Sequence, residues 1–257
     1  MNSLLPVVTL TTDFGEADSY VAEMKGVLYS AVRELSVVDV THQVSPQDVQ
    51  QGAYILGKAS LRFPSDTIHV GVVDPGVGTG RRGIVVSHDR GVFVGPDNGL
   101  FSEALTDGGL RGVFEIQMDG EISRTFHGRD VFAPTAARLA TGLHPADVGS
   151  PVDDPITIER WQPSVSASSV VGQVLHVDGF GNAVTNIRGD QLTNHETCVV
   201  EVSSQVVKGV RETYGQVGPG EGVALIGSQG TLEVSVNGGN AAQQWGIARG
   251  DEVRVSW

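Results

Sequence analysis

An apolar run ends on a carboxylate at Val72-Val73-Asp74, and a glycine-rich loop, Pro75-Gly76-Val77-Gly78-Thr79-Gly80, brings back two guanidinium groups at Arg81-Arg82. A strand end is a rigid platform, and the glycines let the cations fold back toward the acid, so the segment can hold opposite charges around one small reactant. Taken alone, it also reads as Asp-Pro-Gly turn chemistry with a solvated arginine pair at the start of a strand. A second candidate is Thr125-Phe126-His127-Gly128-Arg129-Asp130, a histidine between a strand-like run and a helix that begins near Val131. Imidazole there can shuttle a proton or polarise a water, and Gly128 leaves room beside it. The plain alternative is a histidine hydrogen-bonded within its loop.

Two further segments offer groups that bind rather than react. Thr12-Asp13-Phe14-Gly15 follows the first strand, with Asp18 at the mouth of the first helix. In an open α/β sheet ligands collect beyond the carboxyl ends of the strands, where a carboxylate can accept both hydroxyls of a ribose; the alternative is a helix cap. No Walker or G-x-G-x-x-G loop is present, so phosphate binding has no support. In Val177-Asp178-Gly179-Phe180-Gly181-Asn182-Ala183, Phe180 can stack on a flat heterocycle, Asn182 can pair with its edge and Asp178 can hold an ammonium group, although the same residues suit a β-turn. No His, Cys, Asp and Glu set has metal-ligand spacing, and no G-x-S-x-G is present. Cys198 and the six other histidines are read as structural.

The elements that must position these groups alternate through the first half of the chain. Val7 to Leu10, Val37 to Val40 and Ile68 to Val73 read as strands, and helical spacing fills Ser19 to Leu35 and Val49 to Phe63, with Pro46 and Asp48 opening the second helix. Gly83 to Ser87 and Gly91 to Gly95 add strands, and helices follow Pro96-Asp97-Asn98-Gly99-Leu100-Phe101 and cover Val131 to Thr141. That order predicts βαβ units around a mostly parallel central sheet. Trp161 to Ser169 is Pro/Ser-rich and reads as a linker, so the predicted division is an α/β N-terminal domain over 1–163 and a smaller all-β, barrel-like C-terminal domain over 170–257. The latter rests on short runs at Val170 to Val177, Ala183 to Ile187, Cys198 to Val202, Gly222 to Ile226, Thr231 to Val236 and Glu252 to Trp257.

Composition narrows the ligand. The 257 residues carry 30 carboxylates against 17 Lys plus Arg, a formal charge of -13, which disfavours nucleic acid and anionic membranes and favours neutral or cationic ligands. With 40% apolar residues and one cysteine, no apolar run long enough to span a bilayer and no secretory leader, the reading is a soluble cytoplasmic protein.

In their order, Thr12-Asp13-Phe14-Gly15, Val38-Asp39-Val40-Thr41-His42, Asp74 to Arg82, Gly95-Pro96-Asp97-Asn98-Gly99-Leu100, Phe126 to Asp130 and Asp178 to Asn186 resemble the S-adenosyl-L-methionine (SAM) hydroxide adenosyltransferases, relatives of fluorinating and chlorinating enzymes. The resemblance runs over nearly the whole chain. It implies an α/β domain, a β-barrel and a homotrimer with intersubunit sites, and it maps the family's Asp-Arg-His catalytic set to Asp74, Arg81 and His127. By the same mapping Asp13 holds the ribose hydroxyls, Phe180 and Asn182 the adenine, and Asp178 with Ser228 the methionine end. Asp18, Asn98, Gly128 and Tyr214 complete the candidate binding residues. Gln47 stands where the fluorinating relatives have tryptophan, a departure in the packing around ribose and adenine.

The implied reaction is SAM plus water giving adenosine and L-methionine by attack of a water-derived oxygen on ribose C5′. SAM is then the substrate, with no cofactor and no metal, and Asp74 and His127 share orientation and proton removal while Arg81 favours the anionic nucleophile. The alternatives are halide-dependent cleavage to a 5′-halo-5′-deoxyadenosine, which a carboxylate at Asp74 disfavours, and a non-catalytic adenosine or SAM sensor.

Overall fold

The computed structural model describes residues 5–118, 120–159 and 161–257. It divides into two compact units, Met1–Ile158 and Glu159–Trp257. In the first, β1 (Val7–Thr12), α1 (Tyr20–Ala31), β2 (Ser36–Thr41), α2 (Val49–Ser60) and β3 (Ile68–Val72) alternate as the hydrophobic periodicity predicts. Then come β4 (Gly83–His88), β5 (Gly91–Pro96), α3 (Ser102–Thr106), β6 (Leu110–Glu115) and α4 (Ala133–Ala140), the last preceded by a π-helical turn over Gly128–Phe132.

The six strands form one sheet in the order β2-β1-β3-β5-β4-β6. The β1/β2, β1/β3 and β3/β5 pairings are parallel. The β4/β5 and β4/β6 pairings are antiparallel, because only Asp89-Arg90 separates β4 from β5 and a two-residue turn can join only antiparallel strands. All of β3 is buried, as a strand covered on both faces must be. Alternate residues feed two cores. Val8, Leu10, Val70, Val85 and Val94 pack with Met24 and Leu28 of α1 and Ala136 of α4, whereas Ile84, Val86 and Phe93 pack with Ala53 and Leu56 of α2 and Ala104 of α3. The result is a three-layer α/β sandwich. The sequence reading missed β6, whose Leu110 and Arg111 are both exposed, so the strand shows no clean alternation.

The second unit comprises β7 (Ser164–Val165), β8 (Ser169–Val177), β9 (Ala183–Arg188), β10 (Val199–Val202), β11 (Gln205–Lys208), β12 (Val210–Arg211), β13 (Gly222–Ile226), β14 (Thr231–Val236), α5 (Ala241–Trp245) and β15 (Glu252–Ser256). The Pro/Ser-rich stretch read as a linker belongs to this unit, since β7 pairs with β8. Its sheet runs β11-β10-β15-β8-β9-β14-β13-β12. The two end strands are halves of one segment bent at Gly209, whose φ of +72° suits glycine and where a Cβ would lie 2.6 Å from the Glu196 carbonyl oxygen. The path thus returns on itself, and the sheet is nearly closed and barrel-like around Val174, Ile187, Val200, Leu232 and Val255. Cys198 is fully buried in that core, as read, and burial pushes its thiol pKa up.

The short helix α5 corrects the all-β expectation, and one hairpin turn escaped the sequence pattern. The helix is started by Asn240, whose side chain accepts from the Gln243 amide at 2.7 Å. The β10/β11 hairpin is closed by Ser203-Ser204 with Ser203 at φ 50°, and so lacks the Asn-Gly signature that marks such turns in sequence.

His69 in β3 is fully buried, its Nδ1 2.8 Å from the Thr9 hydroxyl, and burial lowers its pKa to about 4. An unfolded chain takes up this proton near pH ~6.5. Stability from His69 is therefore intact at neutral pH, falls as the pH drops from about 6.5 to about 4, and levels off below, a loss of about 3 kcal/mol. Denaturant titrations at stepped pH should show a steeper decline for the intact protein than for His69→Asn over that interval.

Candidate active site

Strand direction gathers the candidates of the first unit on one edge. Because β1, β2, β3 and β5 run parallel, the residues that follow them, Asp13, His42, Asp74 and Asp97-Asn98, leave the sheet at the same carboxyl edge. Antiparallel β4 begins there, which brings Arg81-Arg82 to the same place, and β6 ends there, opening the segment that leads to His127. This is where open α/β sheets bind ligands.

Asp74 and Arg81, 7 residues apart, and His127, 46 residues beyond Arg81, meet at one guanidinium. Arg81 Nε donates to Asp74 Oδ1 at 2.9 Å, and Nη2 donates to Asp74 Oδ2, a bidentate pair. The same Nη2 lies 2.8 Å from His127 Nδ1. Arginine can only donate, so Nδ1 accepts and the ring proton sits on Nε2. The Arg81 and Asp74 side chains are 9% and 5% exposed, and Arg81 Cζ lies 5.2 Å over the Phe132 ring. Burial and, next, the Arg81 charge lower the pKa of His127 against the opposing pull of Asp74 and Asp130. The imidazole is therefore neutral at pH 7, consistent with the tautomer that the contact requires.

Local structure holds this arrangement. Thr79 Oγ1 donates to the Gly76 carbonyl at 2.7 Å inside the loop, and Gly78 at φ +73° passes so close to Arg124 that a Cβ would sit 2.2 Å from its carbonyl oxygen. Only glycine permits that crossing. On the other side, Asp130 accepts from the Ser123 amide at 2.9 Å and from Arg129 Nε at 2.6 Å. Phe14, Tyr20 and Phe126 pack ring to ring with centroids 5.2–5.8 Å apart, which ties the Asp13 loop to the loop that carries His127.

The other candidates fare differently. Asp13 Oδ2 accepts from the Gln47 amide at 2.8 Å, and Gln47 is held at φ 65°, a left-handed conformation that costs a non-glycine residue free energy. Asp18 is exposed, and the residue at the N-cap is Ser19, whose hydroxyl donates to Glu23 at 2.6 Å, so the capping alternative for Asp18 does not hold. Asn98 spends its amide on backbone, donating to the Val73 carbonyl at 2.9 Å and accepting from the Leu100 amide at 3.2 Å. The room expected beside Gly128 is filled: a Cβ there would meet Met24 Sδ at 3.1 Å and Phe126 at 3.2 Å, so its smallness serves packing. The two arginines of the loop part company, Arg82 turning to Asp97 and Asp154. Sequence gave no sign of which way each would face, nor that Asp97 would be buried.

In the second unit the segment 178–182 forms the β-turn that its residues suit. Asp178 Oδ1 accepts from the Phe180 and Asn182 amides, each at 2.9 Å, and Oδ2 accepts from Asn182 Nδ2 at 2.9 Å. This closed turn leaves Phe180 79% exposed. Tyr214 donates to Glu233 Oε1 at 2.5 Å, and Ser235 donates to the same oxygen at 3.0 Å. Burial, then Glu233, and to a lesser degree the charge of Asp178 push the Tyr214 pKa upward. Ser228 is exposed in the turn joining β13 to β14. Glu233, a buried carboxylate in the apolar alternation Leu232-Glu233-Val234, is the residue that sequence reading passed over. Among the described residues no three or more His, Cys, Asp and Glu side chains are placed to hold a metal ion, and no helix is long and apolar enough to cross a membrane.

A three-layer α/β unit joins a buried acid, a guanidinium and a neutral imidazole at the carboxyl edge of its sheet, and a barrel-like β unit follows it, an architecture that narrows the class of protein. The chain belongs to the SAM hydroxide adenosyltransferase family, whose N-terminal domain matches residues 8–149 and whose C-terminal domain matches residues 172–254. It is 41% identical to an (R)-S-adenosyl-L-methionine hydrolase of Salinispora tropica, over 98% of both chains, and 40% identical to one of Thermus thermophilus, over 96% of this chain and 98% of that one. A fluorinase of Actinopolyspora mzabensis is more distant, at 25% identity over 98% and 97%. The crystal structure of an uncharacterized conserved protein from Thermotoga maritima superposes with a TM-score of 0.91 at 35% identity, covering 98% of this chain and all of that one.

The imidazole of His127 should titrate below the ordinary histidine value of about 6.5. In Arg81→Gln one cause of the lowering is gone while Asp74 and Asp130 still pull upward, so the titration should move to higher pH. Ring-selective NMR titration of both proteins checks this, and an unmoved midpoint in the variant would contradict the contact.

Proposed function

We propose that this chain hydrolyses SAM to adenosine and L-methionine, a water-derived oxygen attacking ribose C5′ in line with the departing sulfur. The observation that carries the reading is the single Arg81 nitrogen that contacts both Asp74 and His127 at the carboxyl edge of the sheet. Support comes also from the relatives at about two-fifths identity that are named (R)-S-adenosyl-L-methionine hydrolases. The leaving group is a neutral thioether and needs no acid, so the difficulty lies with the nucleophile. Hydroxide and sulfonium cancel charge as the new bond forms, and a dry site that aligns them favours that transition state.

The hydrogen bonds divide the labour. A carboxylate has about four lone-pair sites, and Arg81 uses two of those on Asp74, so Asp74 retains acceptor capacity for the water. The Nδ1 lone pair of His127 is committed to Arg81, which leaves Nε2–H as a donor that orients the oxygen. Arg81 favours the anionic nucleophile. Proton removal thus falls to Asp74, with His127 positioning. Asp13 takes the ribose hydroxyls, the exposed ring of Phe180 and Asn182 take adenine, and Asp178, Tyr214 and Ser228 take the methionine end, with Asp18 lining the first unit's share. A soluble homotrimer in the cytoplasm, needing neither cofactor nor metal, completes the proposal.

Incubation with SAM in heavy-oxygen water should place the label in the 5′-hydroxyl of adenosine, and Asp74→Asn or His127→Ala should lower kcat by roughly 10²–10⁴-fold with SAM binding retained in calorimetry. Formation of a 5′-halo-5′-deoxyadenosine in chloride or fluoride, or binding with no release of methionine, would overturn the reading.

A further inference from the structure

Strand order places β5 between β3 and β4. The turn that leaves β5 is therefore flanked on one side by the chain leaving β3 toward Asp74, and on the other by the chain that enters β4 just after Arg81. Both sides are gripped by consecutive residues of that turn. Asn98 donates to the Val73 carbonyl at 2.9 Å, one residue before Asp74. The Asp97 amide donates to the Arg82 carbonyl at 2.9 Å and its Oδ2 accepts from Arg82 Nε at 2.8 Å, one residue after Arg81. The intervening loop is glycine-rich and has little stiffness of its own.

We propose that Asp97 and Asn98 are positioning residues that clamp the two ends of the Gly76–Gly80 loop and so set the register of Arg81 against Asp74 and His127; this rests on the reading of that triad as the centre that activates water. The side-chain chemistry is specific at each place. Asn98 must donate to a carbonyl and accept from the Leu100 amide at once, which an amide does and a carboxylate does not. Asp97, 2% exposed, faces the Arg82 guanidinium, whose Nε and Nη2 lie 2.8 and 2.6 Å from Oδ2, and the Ile156 amide at 2.8 Å from Oδ1, so it must accept at both oxygens, which a carboxylate does and an amide does not. A merely structural pair would tolerate an isosteric exchange as far as the fold survives, with no selective effect on the chemical step.

The test uses Asp97→Asn and Asn98→Asp, each of which changes one atom's donor character at constant volume. With folding verified by circular dichroism, each variant should lose roughly 10- to 100-fold in kcat, the scale on which small misplacements act, while KM stays within about three-fold, as expected when ground-state binding is kept. The His127 ring titration should move upward in each, because a displaced Arg81 no longer lowers it. Unchanged kcat in both variants, or a loss of kcat with the His127 titration unmoved, would overturn the clamp; if one variant fails to fold, the other decides alone. An intact protein that leaves SAM uncleaved would count against the functional reading instead, and the His127 titrations would still decide the clamp.

Discussion

One guanidinium organises the centre. Arg81 touches both Asp74 and His127, and it is nearly buried together with its carboxylate. Burial of an ion pair is tolerated only when the charges are paired and hydrogen-bonded, and removal of one partner leaves the other uncompensated at a cost of about 3–5 kcal/mol. The same guanidinium bears on the state of His127: a donor at Nδ1 excludes a proton there, and its charge adds to burial in keeping the ring neutral. Stability and protonation state thus share one contact.

The sheet delivers that contact without long-range coincidence. Four parallel strands end, and one antiparallel strand begins, on the edge where the charged residues lie. The hairpin of β4 and β5 is what turns a loop after β3 into a return path for Arg81 and Arg82. Cores on both faces fix the strands, so the loop needs only short-range hydrogen bonds to complete its geometry.

Much of this was legible in the chain. Asp74, Arg81 and His127 were all marked by residue type and by their place at strand or helix boundaries, and the apolar run Ile84-Val85-Val86 marked a strand. What stayed hidden has physical reasons. The direction in which Arg81 and Arg82 part depends on partners 46 and 72 residues away, a pairing that no local pattern encodes. The β10/β11 turn uses serine at a positive φ in place of the usual Asn-Gly, and β11 and β12 are too short to show a period. The turn reading of Asp178 to Asn182 and its reading as a binding site were never in conflict, since the turn is what exposes Phe180.

The bend at Gly209 has a consequence beyond shape. A sheet whose first and last strands are one continuous segment presents no long unpaired rim of amide and carbonyl groups to other molecules, and such rims are the templates on which β-proteins aggregate. A side chain at position 209 would meet the Glu196 carbonyl oxygen at 2.6 Å in a strained backbone conformation, so the return of the path favours glycine there. Protection of that rim thus rests partly on a hydrogen atom where every other residue carries carbon.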